Sequence, residues 1–536
     1  MGASLRQEIE NVGNVSQFNP KKMEKNYKSK WGLVFVSLLA CSTLTHAQIT
    51  LTGQIRTRTE LRDGLATLNP IGAKAAAFTT QRSGLTFGYK WDRLTFGATL
   101  RDVRVWGQDA STISNADGNR LFLHEAWAEV ILANIADTTL KFKAFDNLSV
   151  KIGRQEFIYD DVRLLGNLDW LQQGRRFDAM LFKGMKSGWQ IDLGLAFNQN
   201  TDAFGTKGTF YTPGNVPAYV ANSKGNYVTI PAGFVPTSGK GGAPVLANAV
   251  STNAQNQQFK SLQFLYLSRK FGQTKLSVLA LKDDFQKYRI DSLGSSSAGV
   301  VYGRRYDVEG VNTRYTYGAM LTGLIGNASS KLGKIAWQAF GYSQAGKDRD
   351  GLELAAHHYG ANFMLQRGKL SFGPGYEVLS GNNTISPSGK NNRFDPLYGT
   401  PHRHWGYMDY FYVGTGSPAG GLANAFFKTK YVANPNLFFT LDFHNFALAS
   451  PTKNGLDASG GKLDSQLGTE IDLLINYNLN KFTNVELGYS HLQATNSLEY
   501  VKLTSMDKAK HGANWLYLML NIRPDFFYAK PVAIKQ

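Results

Sequence analysis

The chain alternates between apolar and polar residues with a period of two beyond its N-terminal segment. In residues 49–62 the odd positions include Ile49, Ile55 and Leu61, whereas every even position is polar and three of them are arginines. Successive side chains of a β-strand point to opposite faces of a sheet. The pattern therefore predicts a strand with one apolar face and one charged face.

The same alternation recurs along the rest of the sequence. It is clear in residues 82–91, 189–198 and 470–479. Further strands are predicted to begin near residues 94, 122, 148, 261, 275, 310, 334, 358, 369, 437, 484 and 514. The spacing predicts roughly 16 to 20 strands. The longest connections are expected at residues 199–258, 381–428 and 450–466.

Alternating strands suit either a soluble sandwich or a membrane barrel, and the two architectures bury opposite faces. A sandwich turns its apolar face inward, whereas a barrel turns that face to lipid and its polar face to the lumen. Mixed charges on the polar face, long connections that alternate with short ones, and aromatic residues near strand ends favour the barrel. These aromatic residues are Tyr89, Trp91, Tyr317, Trp515, Tyr517, Phe526, Phe527 and Tyr528. The predicted fold class is all-β, a transmembrane antiparallel up-and-down β-barrel of about 18 strands.

The composition excludes several other classes of protein. Only 18% of the 536 residues are charged, while 12% are aromatic and 55 are Gly. Soluble proteins usually carry about a quarter charged residues, so helical bundles and α/β folds are disfavoured. A single Cys excludes a disulfide framework and a Cys-based zinc site. The formal net charge of +18 indicates an anionic partner.

The N-terminal segment predicts export from the cytoplasm. A lysine-rich stretch at residues 21–30 precedes an apolar run at residues 31–44, and Thr45-His46-Ala47 follows. This order predicts a signal peptide that is cleaved after Ala47. The run is too short for a membrane-spanning helix, which needs about 20 apolar residues. Leu38-Leu39-Ala40-Cys41 resembles a lipobox, so lipidation of Cys41 stays an alternative.

The predicted domain organisation has four parts. Residues 1–22 form an upstream extension, and Met23 is a more natural start than Met1. Residues 23–47 are the signal peptide, residues 48–528 the outer-membrane barrel and residues 529–536 a C-terminal tail.

Arginine recurs on the polar face that a barrel turns to its lumen. These residues are Arg56, Arg58, Arg62, Arg82, Arg101 and Arg314. The acidic residues of the same face are Glu60, Glu125, Glu129, Asp192, Glu470, Asp472 and Glu486. Arginine offers paired donors to a carboxylate, and rings of basic residues build anion-selective pores. Two interpretations stay open: a lumen that attracts anions, or charges that pair across the lumen and stiffen the barrel.

The densest group of charges lies between two predicted strands, within residues 150–182. It consists of Arg154, Asp161, Arg163, Asp169, Arg175, Arg176 and Asp178. Arg154 has the parity of Ile152, which should face lipid, and a charge there costs about 2–4 kcal/mol at mid-bilayer. Either a bulge at Gly153 turns Arg154 inward, or Arg154 lies at the rim of the barrel.

Five segments carry a family resemblance. They are GRQEFIYDDVRLLGNLDWLQQGRRFDA (153–179), LRDVRVWG (100–107), the opening strand (49–62), DPLYGTPHRHWGYMDYFY (395–412) and GTEIDLLINYNL (468–479). In these segments the chain resembles the alginate-export family of outer-membrane barrels. The resemblance implies a barrel of about 18 strands with an arginine-rich constriction that passes a polyuronate outward. It implies conduit roles for Arg56, Arg82, Arg104, Glu129, Arg154, Asp161, Arg163, Asp169 and Arg314.

The sequence predicts a channel of a Gram-negative outer membrane that passes an anionic, alginate-like polysaccharide, and no enzymatic activity. One alternative is an anion-selective uptake porin for small organic acids or sugar acids, and another is a non-transporting barrel that acts as an adhesin or scaffold. The expected partners are an anionic polysaccharide or small organic anions, outer-membrane lipid and a periplasmic export partner. Nucleic acid is not an expected partner, because the arginines are spread along strands and not gathered in one patch.

No cofactor and no metal site are expected. His402 and His404 lie in a predicted loop, where histidines are usually exposed to solvent. Ser490 and His491 are adjacent in a strand, so they point to opposite faces and cannot act together in catalysis.

Overall fold

The computed structural model describes residues 48–107, 121–137, 144–200, 202, 209–213, 216–246, 259–326, 333–412 and 418–527. The expected upstream extension, signal peptide and C-terminal tail lie outside these residues. The chain divides into two compact units, and the larger one, Ile49–Tyr89 with Arg93–Gln536, contains the features described below. No helix within the described ranges is long and apolar enough to cross a membrane.

Strands dominate the described residues, and one short α-helix and one 3-10 helix (Pro401–Arg403) interrupt them. In chain order the elements are β1 (Gln48–Asp63), β2 (Ala76–Trp91), β3 (Leu94–Val105), β4 (Leu121–Asn134), β5 (Asn147–Gln155), β6 (Phe177–Lys186), β7 (Trp189–Phe197), β8 (Tyr219–Ala221), β9 (Tyr227–Thr229), β10 (Phe234–Pro236), β11 (Ser261–Phe271), β12 (Thr274–Gln286), β13 (Arg289–Ser295), β14 (Gly299–Arg305), β15 (Val311–Ile325), β16 (Lys334–Lys347), β17 (Glu353–Arg367), β18 (Leu370–Leu379), β19 (Leu422–Asn434), β20 (Leu437–Ala447), β21 (Gln466–Asn480), β22 (Thr483–Ala494), α1 (Asn496–Leu503) and β23 (Gly512–Ile522).

Eighteen of these strands form one closed antiparallel barrel, which confirms the predicted fold class. Each barrel strand pairs with the next one along the chain, except that β7 pairs with β11 and β12 pairs with β15. The barrel closes where β1 pairs with β23, with Ile55 opposite Ile522 and Asp63 opposite Asn514. The remaining strands form two small sheets, the pair β8–β9 and the three-stranded sheet β10-β14-β13.

The two faces of the barrel wall differ as the alternation predicts. In β1, Leu61 is 45% exposed on the outer face, whereas the neighbouring Glu60 is 1% exposed. In β21, Ile471 is 46% exposed and Asp472 is fully buried. An apolar outer face and a polar inner face are the arrangement of a barrel in lipid.

Long and short connections lie at opposite ends of the barrel. Turns of two residues, such as 187–188 and 272–273, join strands at one end, where β1 also begins and β23 also ends. The connections at the other end include residues 156–176, 198–260 and 380–421. Short turns mark the periplasmic end of outer-membrane barrels, so the long connections belong to the extracellular end.

Part of the barrel interior is a packed apolar core, which the alternation did not predict. Trp515 and Tyr517 of β23 were expected in an interfacial belt, but both are buried and point inward. They pack in one apolar cluster with residues of the long connections, such as Trp405, Met408 and Phe411. Period-two alternation identifies two faces, but it does not show that loops cover part of the inner one.

Candidate functional site: a lumen bridged by two loops

Two long connections fold back into the barrel and meet there. We call residues 156–176, between β5 and β6, loop A, and residues 380–421, between β18 and β19, loop B. Loop A contains the densest group of charges, and loop B contains the segment 395–412. The two loops touch through a parallel bridge between Leu165 and Tyr398.

Wall arginines of β1, β2 and β3 hold the tip of loop A. The Arg56 guanidinium donates to the main-chain oxygen of Asp169 at 2.8 Å and to Gln172 Oε1 at 3.0 Å. Arg82 Nε donates to the main-chain oxygen of Gln172 at 2.6 Å, and its Nη1 pairs with the Asp169 carboxylate. Arg101 Nη1 donates to the main-chain oxygen of Gln173 at 3.0 Å. Although burial acts to raise it, Arg82 and Arg56 lower the pKa of Asp169 to about 2.

An aromatic stack continues this contact toward loop B. The Arg58 guanidinium lies 4.2 Å from the centre of the Trp170 ring, and the other face of Trp170 stacks on His402 at 4.2 Å. His402 stacks in turn on Tyr407, and its Nδ1 lies 2.7 Å from Asp409 Oδ1. A cation over a tryptophan face is the most favourable cation–π pair, so the stack joins β1, loop A and loop B.

The middle of loop A is held on the opposite side of the barrel. Arg163 donates to Asp161 Oδ2 at 3.2 Å and to the carboxylate of Glu377 in β18. Gln338 of β16 donates to Asp161 at 2.7 Å. Within the eighteen-strand ring, β16 lies nine places from β2, so loop A crosses the full width of the lumen. Burial and the neighbouring Arg163 lower the pKa of His404, which sits beside this group, to about 3.

Loop B is anchored by wall residues of both charges. Arg314 of β15 donates to Asp283 of β12 at 3.0 Å and to Asp395 of loop B at 2.8 Å. On the other side, Glu470 Oε1 accepts from the main-chain nitrogen of Met408 at 2.7 Å. The Asp472 carboxylate lies 3.4 Å from the main-chain nitrogen of Tyr407.

Arg175 joins the two loops to each other. It is buried and donates to the main-chain oxygens of Gly166 at 3.2 Å and Gly399 at 2.8 Å. A Cβ at Gly399 would lie 1.9 Å from the main-chain oxygen of Arg163, so only glycine permits this approach. Burial lowers the pKa of Arg175 well below its ordinary value.

Three further candidate residues, of which Arg176 is the last residue of loop A, take no part in the contacts described above. Arg62 pairs with Glu60, and Glu129 accepts from Ser149 and from Lys183. Arg176 lies over the Phe122 ring at 4.6 Å.

Arg104 and Arg154 are not brought to the lumen. Arg104 pairs with Asp102 at 2.8 Å, and Arg154 forms two bonds of 2.8 Å with Asp178. The pairing of β5 with its neighbours is unbroken around Gly153, so no bulge turns Arg154 inward. Arg154 is the second-last residue of β5 and shares the outward parity of Ile152, which corresponds to the rim alternative. The lumen role that the family resemblance implied for these two arginines is not what the structure shows.

Among the recesses that remain open toward the end with the short turns, two are lined by residues of loops A and B. The first has a volume of about 450 Å³, and its lining includes Trp170, Arg403, Tyr407, Glu486 and Arg523. Arg403 is exposed and makes no ion pair with a carboxylate in the described part of the chain. Sequence reasoning missed Arg403, although it lies in the segment 395–412 that carried the resemblance.

The second recess has a volume of about 380 Å³ and lies beside loop A. Its charged lining combines three lysines with four carboxylates. These residues are Lys151, Lys183, Lys275, Glu125, Glu156, Asp160 and Asp192. The lysines were missed because the search for lumen cations followed arginine alone.

The sequence and the fold were each compared with known proteins. A family model described as alginate export matches residues 48–197 and 239–510. No curated protein matches the sequence.

Solved structures share the fold. OpdO of Pseudomonas aeruginosa superposes with a TM-score of 0.51 at 12% identity, over 90% of this chain and 98% of that chain. OccAB1 of Acinetobacter baumannii superposes with a TM-score of 0.51 at 13% identity, over 89% of this chain and 97% of that chain. OccAB4 of the same organism superposes with a TM-score of 0.52 at 12% identity, over 89% of this chain and 98% of that chain. At these identities the likeness shows the fold alone.

Proposed function

This chain belongs to the alginate-export family and is an outer-membrane channel, and from that premise we propose that it passes an anionic polysaccharide, an alginate-like polyuronate, through its lumen. The observation that carries the proposal is the 450 Å³ recess below the loops, which presents the exposed guanidinium of Arg403 beside the aromatic rings of Trp170 and Tyr407. Its volume lies in the range of about 300–1,000 Å³ that is usual for ligand sites.

The chemistry of this recess suits an acidic sugar. A guanidinium binds a carboxylate through two parallel hydrogen bonds and stays charged at physiological pH. Tyr407, which stacks on His402 through one face, offers apolar surface to the C–H groups of a sugar ring. Glu486 and a further arginine, Arg523, line the same recess, so groups that repel and groups that attract an anion lie side by side. Conduction needs binding that is weak and repeated, and mixed charges provide it.

The buried arginines have a different part in this proposal. Arg56, Arg82 and Arg314 are buried in contacts with loops A and B, so they set the position of the loops and leave substrate contact to residues such as Arg403. The contacts that these arginines make with the loops are hydrogen bonds and ion pairs, which can open. A polymer chain would pass when the loops shift away from the wall.

Arg403→Gln tests the proposal in planar-bilayer recordings. A polyuronate added on the short-turn side should block the wild-type current, and the variant should require about tenfold more polymer for half block. A hydrogen bond to a charged group contributes about 1.5–3 kcal/mol, and 1.4 kcal/mol corresponds to a factor of ten. The control is Arg289→Gln, which removes an exposed ion pair with Asp307 in the small sheet. Equal block in wild type and Arg403→Gln would contradict the role of Arg403.

Flux measurements separate the proposed function from its alternatives. Liposomes that contain the protein should release a polyuronate of several sugar units. Swelling with uronate monomers and no release of polymer would favour an uptake porin for small acids. A barrel without conductance under any of these conditions would favour an adhesin or scaffold.

A further inference from the structure

A bulge in the barrel wall places two neighbouring side chains on the inner face. In the pairing of β3 with β4, Thr99 is opposite Glu125 and Leu100 is opposite Leu123, so His124 is the extra residue. His124 is fully buried, and Glu125 lines the 380 Å³ recess beside loop A. Bulges occur often beside functional sites because they redirect side chains.

A third group reaches the same point from loop A. Glu156 is the first residue of loop A, and its Oε1 lies 2.8 Å from His124 Nε2. Three potential ligand atoms, one each from His124, Glu125 and Glu156, lie within 4.8 Å of one another. Ligand atoms at about 2.0–2.2 Å from one metal ion lie roughly 3 Å apart, so His124 and Glu156 already have the spacing of two ligands.

The surrounding groups orient the two carboxylates. Asn167 Nδ2 donates to Glu156 Oε2 at 2.9 Å, which leaves Oε1 toward His124. Trp127 Nε1 donates to Glu125 Oε1 at 3.2 Å. His124 Nδ1 is buried without a hydrogen-bond partner among the described residues. Outer contacts that fix carboxylates in this way are typical of metal sites.

We propose that His124, Glu125 and Glu156 bind a divalent transition-metal ion, and that Zn²⁺ is the best fit. One imidazole nitrogen and two carboxylate oxygens are a Zn²⁺ ligand set, whereas Ca²⁺ and Mg²⁺ are bound by oxygen ligands. Both glutamates line the recess, so the ion can enter from the short-turn side and keep water as a fourth ligand. Lys151 and Arg101 lie close enough to act on these carboxylates electrostatically, which predicts modest affinity.

The site has a structural consequence for loop A. The metal ion would tie the first residue of loop A to β4, next to the contacts that hold its tip to β1 and β2. A ligand that binds only the folded arrangement stabilises it by mass action. Zn²⁺ should therefore raise the temperature at which the barrel unfolds.

The experiment uses the full chain, folded in detergent and without a histidine tag. Calorimetric titration with Zn²⁺ should show one saturable site, and Co²⁺ in its place should give visible absorption bands. Glu156→Gln keeps the size of the side chain and removes its charge, and His124→Gln removes the imidazole. Each variant should lower the affinity for Zn²⁺ about tenfold or more and abolish the Co²⁺ bands.

The matched control is His357→Gln, because His357 is exposed on the outer face of β17. This variant should bind Zn²⁺ like the wild type, whereas loss of binding in it would place the ion at the surface and overturn the proposal. Absence of saturable binding, or unchanged affinity in Glu156→Gln, would overturn it as well. Glu156→Gln keeps the test decisive if His124→Gln fails to fold. The block of the current by polyuronate is measured without metal. A failure of the proposed channel function is therefore distinguished from a failure of the proposed metal site.

Discussion

Two arginine side chains of the barrel wall, Arg56 and Arg82, act mainly as donors to the main chain of loop A. Arg56 and Arg82 each donate to more than one carbonyl oxygen of loop A as well as to Asp169. A guanidinium has five N–H donors in a fixed plane, so one side chain can satisfy several carbonyls of a tight turn. A buried lysine could not replace this geometry.

The sequence identified these arginines but not their partners. Parity alone places Arg56, Arg82 and Arg314 on the inner face. Their partners could not be predicted, because Asp169 is more than eighty residues from Arg82 in the chain and no local pattern joins them. Trp515 shows the same limit, since it was expected in an interfacial belt and packs instead against loop residues inside the barrel.

The first prediction concerns Asp169, whose pKa is held near 2 by Arg82 and Arg56. In the unfolded chain the pKa of an aspartate carboxyl group is about 3.9. A carboxyl group whose pKa is lower in the docked loop than in the unfolded chain stabilises the docked loop at any pH above the pKa of the unfolded chain. This contribution is lost as the pH falls through the lower pKa of the docked loop. We expect loop A to stay docked from neutral pH to about pH 4 and to loosen between about pH 4 and pH 2.

Pepsin measures this effect, because it is active across that range. Cleavage within residues 156–176, normalised to cleavage in the mostly exposed residues 219–232, should rise as the pH falls from 4 to 2. Asp169→Asn should show the raised cleavage already at pH 4. If the normalised cleavage of loop A in the wild type did not change between pH 4 and pH 2, the Asp169 carboxylate would not be what holds the loop.

At the scale of elements, loop A joins strands from opposite sides of the barrel. The Arg163–Glu377 pair is buried, with His358 Nε2 3.2 Å from the same carboxylate. Removal of one partner of a buried pair leaves an uncompensated charge and costs about 3–5 kcal/mol. Replacement of both partners avoids that cost.

The second prediction is a double-mutant cycle on this pair. Arg163→Met should lower the free energy of unfolding strongly, and Arg163→Met with Glu377→Gln should recover a large part of the loss. Urea unfolding of the barrel in detergent measures both. The exposed pair Arg289–Asp307 is the control, and its removal should change the free energy by no more than about 1 kcal/mol. A loss in the double variant equal to the sum of the losses in Arg163→Met and in Glu377→Gln alone would mean that the two residues are not coupled.

Strands were predicted well where alternation is strict and poorly elsewhere. The predicted starts near residues 94, 148, 261 and 275 agree closely with the structure. β6 was missed because Phe177–Lys186 has no regular alternation, and the start of β19 was placed in a loop that was expected to extend to residue 428. The entry of loops A and B into the barrel has no sequence period, so it could not be predicted.

At the scale of the whole molecule, the net charge of +18 sets the field that an approaching anion meets. Screening weakens this field, since the Debye length falls from about 10 Å at 0.1 M salt to about 3 Å at 1 M. The third prediction is therefore that anion selectivity, measured by reversal potentials under a salt gradient, declines as the mean salt concentration rises. Cation selectivity at low salt would contradict this prediction. The control is a neutral polymer of the same length as the polyuronate, which should permeate equally at low and at high salt.

The pairing of β1 with β23 makes completion of the barrel depend on its last strand. Ile55 cannot meet Ile522 until nearly the whole polypeptide is available. Before that moment the first and last strands each present unpaired amide and carbonyl groups, which hydrocarbon cannot solvate. Contacts so distant in sequence also form slowly. A shortened product that lacks β23 should stay in the periplasm and not enter the bilayer.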